Sequence, residues 1–402
     1  MTQRTSRSLG CNHRIEVARF RGTATLLGFQ TLAWIAACLV WHNNLAAQEI
    51  PWVDLDHETG FQVVVDREAG QYLGHPTTVL LEDGRTILCV YPGGHGKGPI
   101  YYKRSEDGGR TWSDRLATPR SWETSQETPT IHRTIDAQGA KHLILFSGLY
   151  PVRLASSDDD GQHWSELAPV GDWGGIVAMS SVIPIHSTPG SYLALFHDDG
   201  RFFASKPSSE KGRFTLYASR SNDAGKTWSS PRTLQTSNEV HVCEPGAVFS
   251  PDRKQIALLL RENRRVKNSH VMFSDDEGET WTLPKELPDT LIGDRHVAKY
   301  LPDGRLFISF RDASRAGKDS VTKGDWVAWV GTYEDLISGR PGQYRIRLKR
   351  NYRALDCAYP GVEILPDGTI VTTTYGHWIA GEQPFILCVR FSIETCDSKL
   401  GY

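Results

Sequence analysis

The sequence predicts an all-β fold, a six-bladed β-propeller with four antiparallel strands per blade, and three observations carry that prediction. A Ser-x-Asp-x-Gly-x-Thr/His-Trp octet occurs four times, six hairpin patterns are spread along the 402 residues, and amphipathic helical periodicity is nearly absent. The octets occupy 105–112, 157–164, 221–228 and 274–281, with tryptophans 52, 64 and 53 residues apart. Each reads as a turn: Asp bonds to backbone N–H groups just ahead of it, Gly supplies a left-handed position, and Trp folds back as an apolar plug. A period of this size implies one supersecondary unit per repeat, and neighbouring units must stack to bury a core.

Between the turns, β-branched runs flank Asp83-Gly84, Asp303-Gly304 and Asp367-Gly368, a strong hairpin signal. Weaker hairpins span 130–146, 176–196 and 247–260. The fifth and sixth repeats keep their later strands, at 325–332 with 344–348 and at 384–391, but lack the octet. The run 60–66 precedes the first hairpin and would supply the outer strand that closes the ring, which hides the sheet edges.

The amino-terminal 47 residues stand apart. Arg4, Arg7, Arg14, Arg19 and Arg21 face a lone Glu16, an apolar run covers 25–40, and Asn43-Asn-Leu-Ala-Ala47 follows. That order is the one expected of an export signal cleaved near Ala47, which would make the remainder, 48–402, a single domain that is secreted or periplasmic. An uncleaved anchor is the competing reading. Without the leader the chain carries 40 basic and 46 acidic residues, net −6, which argues against nucleic acid as a partner. A monomer without stable membrane contact is expected. Cys89, Cys243, Cys357, Cys388 and Cys396 are widely spaced and odd in number, so no disulfide framework is implied. No HxH or HExxH spacing supports a metal, and no cofactor is expected.

Propeller topology sorts residues by face. The turn between the third and fourth strands falls opposite the mouth, so the octets point away from any central pocket. Starts of inner strands and ends of second strands converge on the mouth. They supply Gly74-His75, Tyr91 to His95, Glu127, Tyr150, His197-Asp198-Asp199, Glu244, Arg261, Arg295-His296, Arg311-Asp312, Tyr359, Tyr375 and His377.

The octet is the Asp box, and over roughly 60–395 the chain resembles the sialidase (neuraminidase) superfamily. Cys243-Glu244-Pro-Gly followed by Leu258-Leu-Leu-Arg261-Glu-Asn263 resembles the segment that carries a catalytic Glu and a substrate-binding Arg, and Ala358-Tyr359-Pro-Gly resembles the segment of the nucleophilic Tyr. The resemblance implies that Tyr359 attacks the anomeric carbon, Glu244 activates it, and Arg261 holds the acid group of an acidic glycan. The chemistry is coherent: a phenol with a pKa of about 10 needs a carboxylate to take its proton, and a guanidinium fork matches a carboxylate.

Two departures stand out. Leu73-Gly74-His75-Pro76 replaces the family's Phe-Arg-Ile-Pro, and the loop 91–100, where the family carries an acid/base Asp, has no carboxylate. The third arginine of the family triad would be Arg311 or Arg315. A proton donor would then come from another blade, Asp198 or Asp199 first, with His75 and His95 nearest the usual place. Arg311, Arg295, His75, His95, Glu127, His296 and His377 are the remaining candidates for substrate contacts. The expected function is release of a terminal acidic sugar, sialic acid or a relative. A uronic-acid-directed hydrolase or lyase, or a non-catalytic acidic-glycan-binding propeller, are the alternatives.

Overall fold

Each Asp-Gly or weaker hairpin becomes the inner pair of a sheet in the computed structural model, which describes residues 50–402; the leader assigned to 1–47 lies outside the described residues. Blade 1 comprises Thr77–Leu80, Ile87–Pro92 and Ile100–Ser105, and Ser113 and Leu116 hold its outer place by donating backbone N–H groups to Arg104 and Tyr102. Blade 2 comprises Thr130–Ile135, Lys141–Ser147, Arg153–Ser157 and Ala168–Pro169. Blade 3 comprises Ile176–Pro184, Tyr192–Asp198, Thr215–Ser221 and Arg232–Thr236. Blade 4 comprises Val242–Phe249, Ile256–Glu262, His270–Ser274 and Lys285–Glu286.

Blade 5 comprises Gly293–Tyr300, Leu306–Asp312, Trp326–Gly331 and Tyr344–Lys349, and Trp52–Asp54 adds a parallel strand at its edge. Blade 6 comprises Gly361–Ile364, Ile370–Gly376 and Phe385–Phe391, and its outer strand is Gln62–Asp66, paired antiparallel with Phe385–Phe391. The run expected to close the ring therefore does so. Inner strands touch in a closed cycle, each blade against the next and blade 6 against blade 1. Six apolar clusters fill the spaces between blades; Val248, Leu259 and Val271 of blade 4, for example, meet Leu306, Phe310 and Trp329 of blade 5.

The Asp boxes form as their residue types dictate. In the third, Asp223 accepts the Thr227 N–H at 2.9 Å and the Thr227 hydroxyl at 2.6 Å, while Ser221 Oγ accepts the Gly225 N–H at 2.8 Å. The box glycines also need their missing side chain. A Cβ on Gly109, Gly161, Gly225 or Gly278 would press on Val371, Leu88, Ile144 or Leu193, each on the second strand of the preceding blade. The boxes thus clamp neighbouring blades. Where the octet is absent a short helix takes its place: Tyr333–Ser338 in blade 5, started by a Thr332/Asp335 capping box, and Ile393–Leu400 after the third strand of blade 6. Both are too short to have shown as periodicity. Among the described residues no helix is long and apolar enough to cross a membrane. All five described cysteines are buried and unpaired.

Candidate active site

Inner strands enter the ring through a kink that sets the site. His75, Val177, Glu244, Arg295 and Ala358, at the entries of blades 1, 3, 4, 5 and 6, all have left-handed backbone with φ between 47 and 55°. Pairing registers break there, between Cys243 and Gly246 and between Asp294 and Val297. Such non-glycine positions cost about 1–3 kcal/mol each and persist where the surrounding structure over-determines them. The bulge re-aims a side chain that would otherwise lie along the sheet. Gly246 must be glycine, because a Cβ there would lie 2.1 Å from the His296 carbonyl oxygen.

Tyr359, Glu244 and Arg261, from blades 6 and 4, come together. The Tyr359 hydroxyl donates to Glu244 Oε1 at 2.5 Å, and Arg261 Nη1 lies 2.7 Å from the same oxygen and 3.4 Å from the Tyr359 hydroxyl. Tyr359 is 8% exposed and Glu244 3%. Burial, then the Glu244 charge, pushes the phenol above its ordinary range. Burial alone would raise the Glu244 carboxyl, but the Arg261 guanidinium and the Tyr359 hydroxyl hold it below its ordinary value. At neutral pH the pair is a phenol poised on a carboxylate.

Asp294 organises the arginines. It is fully buried and accepts both nitrogens of an Arg265 fork at 2.9 and 2.8 Å, and Arg311 Nε and Nη2 at 2.9 and 2.6 Å; Arg261 Nε lies 3.2 Å away. Against the cost of burial, Arg311 first and then Arg261 draw its carboxyl well below the ordinary range. Arg311 Nη1 donates to the Leu355 and Cys357 carbonyls, and Arg261 Nη2 to Asn263 Oδ1. Arg311 thus has an acceptor at every nitrogen, whereas Arg261 Nε lies near Asp294 without a hydrogen bond. Of the two arginines expected for the third triad position, the Arg311 guanidinium lies 5.6 Å from the Tyr359 ring centre, whereas Arg315 bonds to Asn268. Arg295 differs: it is 4% exposed, and its Nη1 has no hydrogen-bond partner.

A second cluster centres on Asp356. Tyr72 and Tyr375 donate to its Oδ1 at 2.7 and 3.3 Å, and His377 Nε2 lies 3.0 Å from Oδ2. Tyr72 in turn accepts from His95 Nδ1 at 2.6 Å. His75 Nδ1 accepts the Gly96 N–H at 3.2 Å and Nε2 donates to the Tyr375 hydroxyl at 3.1 Å, which fixes a neutral tautomer. Burial pushes that imidazole well below its usual value, and its ring packs edge-on against Tyr359 at 4.6 Å.

The other expected residues make no direct contact with the Tyr359–Glu244 pair. Asp198 accepts the N–H groups of Gly200 and Phe202 at 2.6 and 3.1 Å, closing its own loop, and Asp199 pairs with Arg201 at 2.7 Å; no contact joins either to Tyr359 or Glu244. His296 is fully buried, bonds to the Leu291 carbonyl at 3.0 Å and stacks on Phe310, as a core histidine does. Glu127 opens blade 2, half-buried, with Oε1 accepting the Thr128 N–H at 2.8 Å. Burial pushes its carboxyl up to about 7, and the Glu244 charge adds to the rise. Sequence reasoning passed over Asp294, Asp356 and Tyr72. Asp294 directly precedes the Arg295 kink and Asp356 lies three residues before Tyr359, so a wider window at each inner-strand entry would have caught both. Among the described residues no cluster of three His, Cys, Asp or Glu side chains is placed to hold a metal ion.

Comparison with known proteins gives a consistent picture. Residues 142–316 match a BNR repeat-like domain. A sialidase of Paraclostridium sordellii is 25% identical over 216 residues, covering 46% of this chain and 50% of that protein, so the chain spans about half the length of the curated relative it matches. A Dyadobacter fermentans protein of unknown function superposes with a TM-score of 0.63 at 16% identity, over 82% of this chain and 97% of that one. The intramolecular trans-sialidase of Ruminococcus gnavus gives 0.55 at 15% identity, over 80% and 95%. The K499G mutant of the NanB sialidase of Streptococcus pneumoniae gives 0.54 at 14%, over 83% and 71%.

Proposed function

We propose that this chain, a propeller similar to BNR-repeat sialidases, is a glycoside hydrolase releasing a terminal acidic sugar from glycans, with Tyr359 as nucleophile and Glu244 as its base. The observation that carries this is the 2.5 Å bond from the Tyr359 hydroxyl to Glu244 Oε1, with Arg261 against both. In the first step Tyr359 oxygen bonds to the anomeric carbon as the bond to the leaving sugar breaks, and its proton passes to Glu244. Arg261 keeps Glu244 ionised until then, and a neutral nucleophile avoids setting a carboxylate against an anionic sugar. In the second step water displaces Tyr359, which recovers its proton from Glu244.

Sialic acid or a related nonulosonic acid is the first substrate class to try. The engagement of Arg311 by Asp294 and backbone carbonyls, and of Arg261 Nη1 and Nη2 by Glu244 and Asn263, favours a second one, a uronic acid read by other groups, because a substrate carboxylate would compete with these acceptors for the same nitrogens. The test is incubation with α-linked sialosides and uronide oligosaccharides, with release followed by mass spectrometry. Product that vanishes in Tyr359→Phe and in Glu244→Gln supports the assignment; unchanged turnover in both discards it. A product absorbing in the near ultraviolet would instead mark elimination.

A further inference from the structure

The proposed reaction leaves one proton unassigned, the one the departing sugar oxygen must receive, and the loop 91–100 holds no carboxyl group to give it. Around the mouth most carboxylates are already engaged. Asp294 holds arginines, Asp356 holds two tyrosines and His377, Asp198 caps its own loop, Asp199 pairs with Arg201, and Glu244 takes the Tyr359 proton. Among the described residues Glu127 makes no ion pair, and its carboxyl meets neutral donors, the adjacent Thr128 N–H at 2.8 Å with the Thr128 hydroxyl and the Val177 N–H beside it.

Its position matches the need. A side chain on Gly96, in the middle of the acid-free loop, would begin 3.5 Å from Glu127 Oε1. The carboxyl group of blade 2 thus stands beside the blade 1 loop. Gly148 makes room for it, since a Cβ there would lie 2.8 Å from Glu127 Cγ. The neighbours Ser125 and Gln126 line, with Gly93, Gly94, His95 and Gly98, a cavity of about 540 Å³. That cavity, which Lys97 and Leu149 also line, would take the leaving part of the glycan, and Glu127 follows directly on its lining residue Gln126. The three groups stand at the inner-strand entries of alternate blades, Glu127 on 2, Glu244 on 4 and Tyr359 on 6, and the Glu244 charge is felt at Glu127.

We propose that Glu127 is the general acid and base of this site, reaching over from the second blade to act where the first blade's loop carries no acid. The assignment rests on the hydrolase reading above. In the first step the Glu127 carboxyl proton passes to the glycosidic oxygen as the anomeric bond to it breaks and the bond to Tyr359 forms. In the second the Glu127 carboxylate takes a proton from the attacking water, the bond to Tyr359 breaks, and Glu244 returns its proton to the phenol. No further reactant is needed. Two carboxyls whose surroundings drive them in opposite directions, Glu244 down and Glu127 up, are what an acid and a base at one site require.

The experiment compares wild type, E127Q and Y359F on methylumbelliferyl and galactosyl glycosides of N-acetylneuraminic acid and of glucuronic acid. A general acid contributes roughly 10²–10⁴-fold, and only where the leaving group needs protonation. E127Q is expected to lose at least about a hundredfold more rate on the galactoside than on the methylumbelliferyl glycoside. Azide should restore part of the methylumbelliferyl rate, and the basic limb of the pH profile near 7 should disappear. Equal losses on both aglycones, or none on either, overturn the assignment while leaving Tyr359 in place. Turnover that survives in Y359F overturns the nucleophile instead, and the leaving-group contrast in E127Q still supports Glu127. A wild-type protein that cleaves none of the four overturns both.

Discussion

The two faces of the ring handle carboxylates in opposite ways. In the Asp boxes, each carboxylate is satisfied by its own turn: Asp107, Asp159 and Asp276, like Asp223, accept a backbone N–H from the residue four positions on. At the mouth, Asp294 is held by arginines from two strands and a loop, Asp356 by phenols and a histidine, and Glu244 by a tyrosine from a blade two places away. One face is built from bonds that local sequence specifies, the other from bonds that exist only after the ring has formed. The box face carries stability in small independent units, and the mouth concentrates it, with strain, at a few points.

That difference can be broken or sharpened experimentally. The largest effect is expected in catalysis: Tyr359→Phe should lower turnover by roughly 10³-fold or more with little change in melting temperature, since the ring stays in place and only the hydroxyl leaves. An unchanged rate would remove the mouth's special status. Next comes Asp294→Ala, which leaves three guanidinium groups facing a void and should cost roughly 3–5 kcal/mol in urea unfolding. A loss no greater than that of a box aspartate would show that the mouth network is not concentrated there.

Acid should come third. The unfolded chain protonates its imidazoles below about pH 6.5. In the folded ring burial keeps His197 neutral down to about 4 and His132 down to about 3. The unfolded state binds more protons in that window, so this stability is complete above pH 6.5 and is lost as pH falls toward 4. Each such ring should contribute on the order of 2 kcal/mol to the difference between pH 7 and pH 5. His197→Gln should shrink that difference in urea midpoints. Glu127, raised to about 7, acts in the opposite sense between its unfolded value and 7, so E127Q should steepen the acid loss. Smallest is Asp223→Ala, where an intact box hydrogen bond is lost at about 1–2 kcal/mol, read as a modest fall in urea midpoint at unchanged activity.

The same contrast explains what could be read from the sequence. The boxes, the Asp-Gly hairpins and the closing run 60–66 are local patterns whose residue types dictate their geometry, and the ring followed from counting them. Topology gathers inner-strand starts and second-strand ends at one mouth, and within that set Tyr359, Glu244 and Arg261 were singled out by the resemblance of their segments to those of sialidases. For Asp294 and Asp356 only the place was legible, beside an inner-strand entry, because nothing in Gly293-Asp-Arg or Leu355-Asp-Cys shows which partners, tens or hundreds of residues away, the carboxylate will meet. Asp198, chosen first as proton donor, shows the converse: Asp-Asp-Gly is itself a turn signal, and the turn claimed the side chain.

Ring closure also bears on how the chain reaches this state. Gln62 pairs with Val389 and Asp66 with Ile386, so during translation this early strand must wait, unpaired, until nearly the whole chain has left the ribosome. Open solenoids can zip from one end; here the final zipper tooth is also among the first made, which favours a slow, all-or-none transition over stepwise assembly. Trimming the chain at residue 67 should therefore free a long β edge for aggregation, rather than merely shorten one sheet.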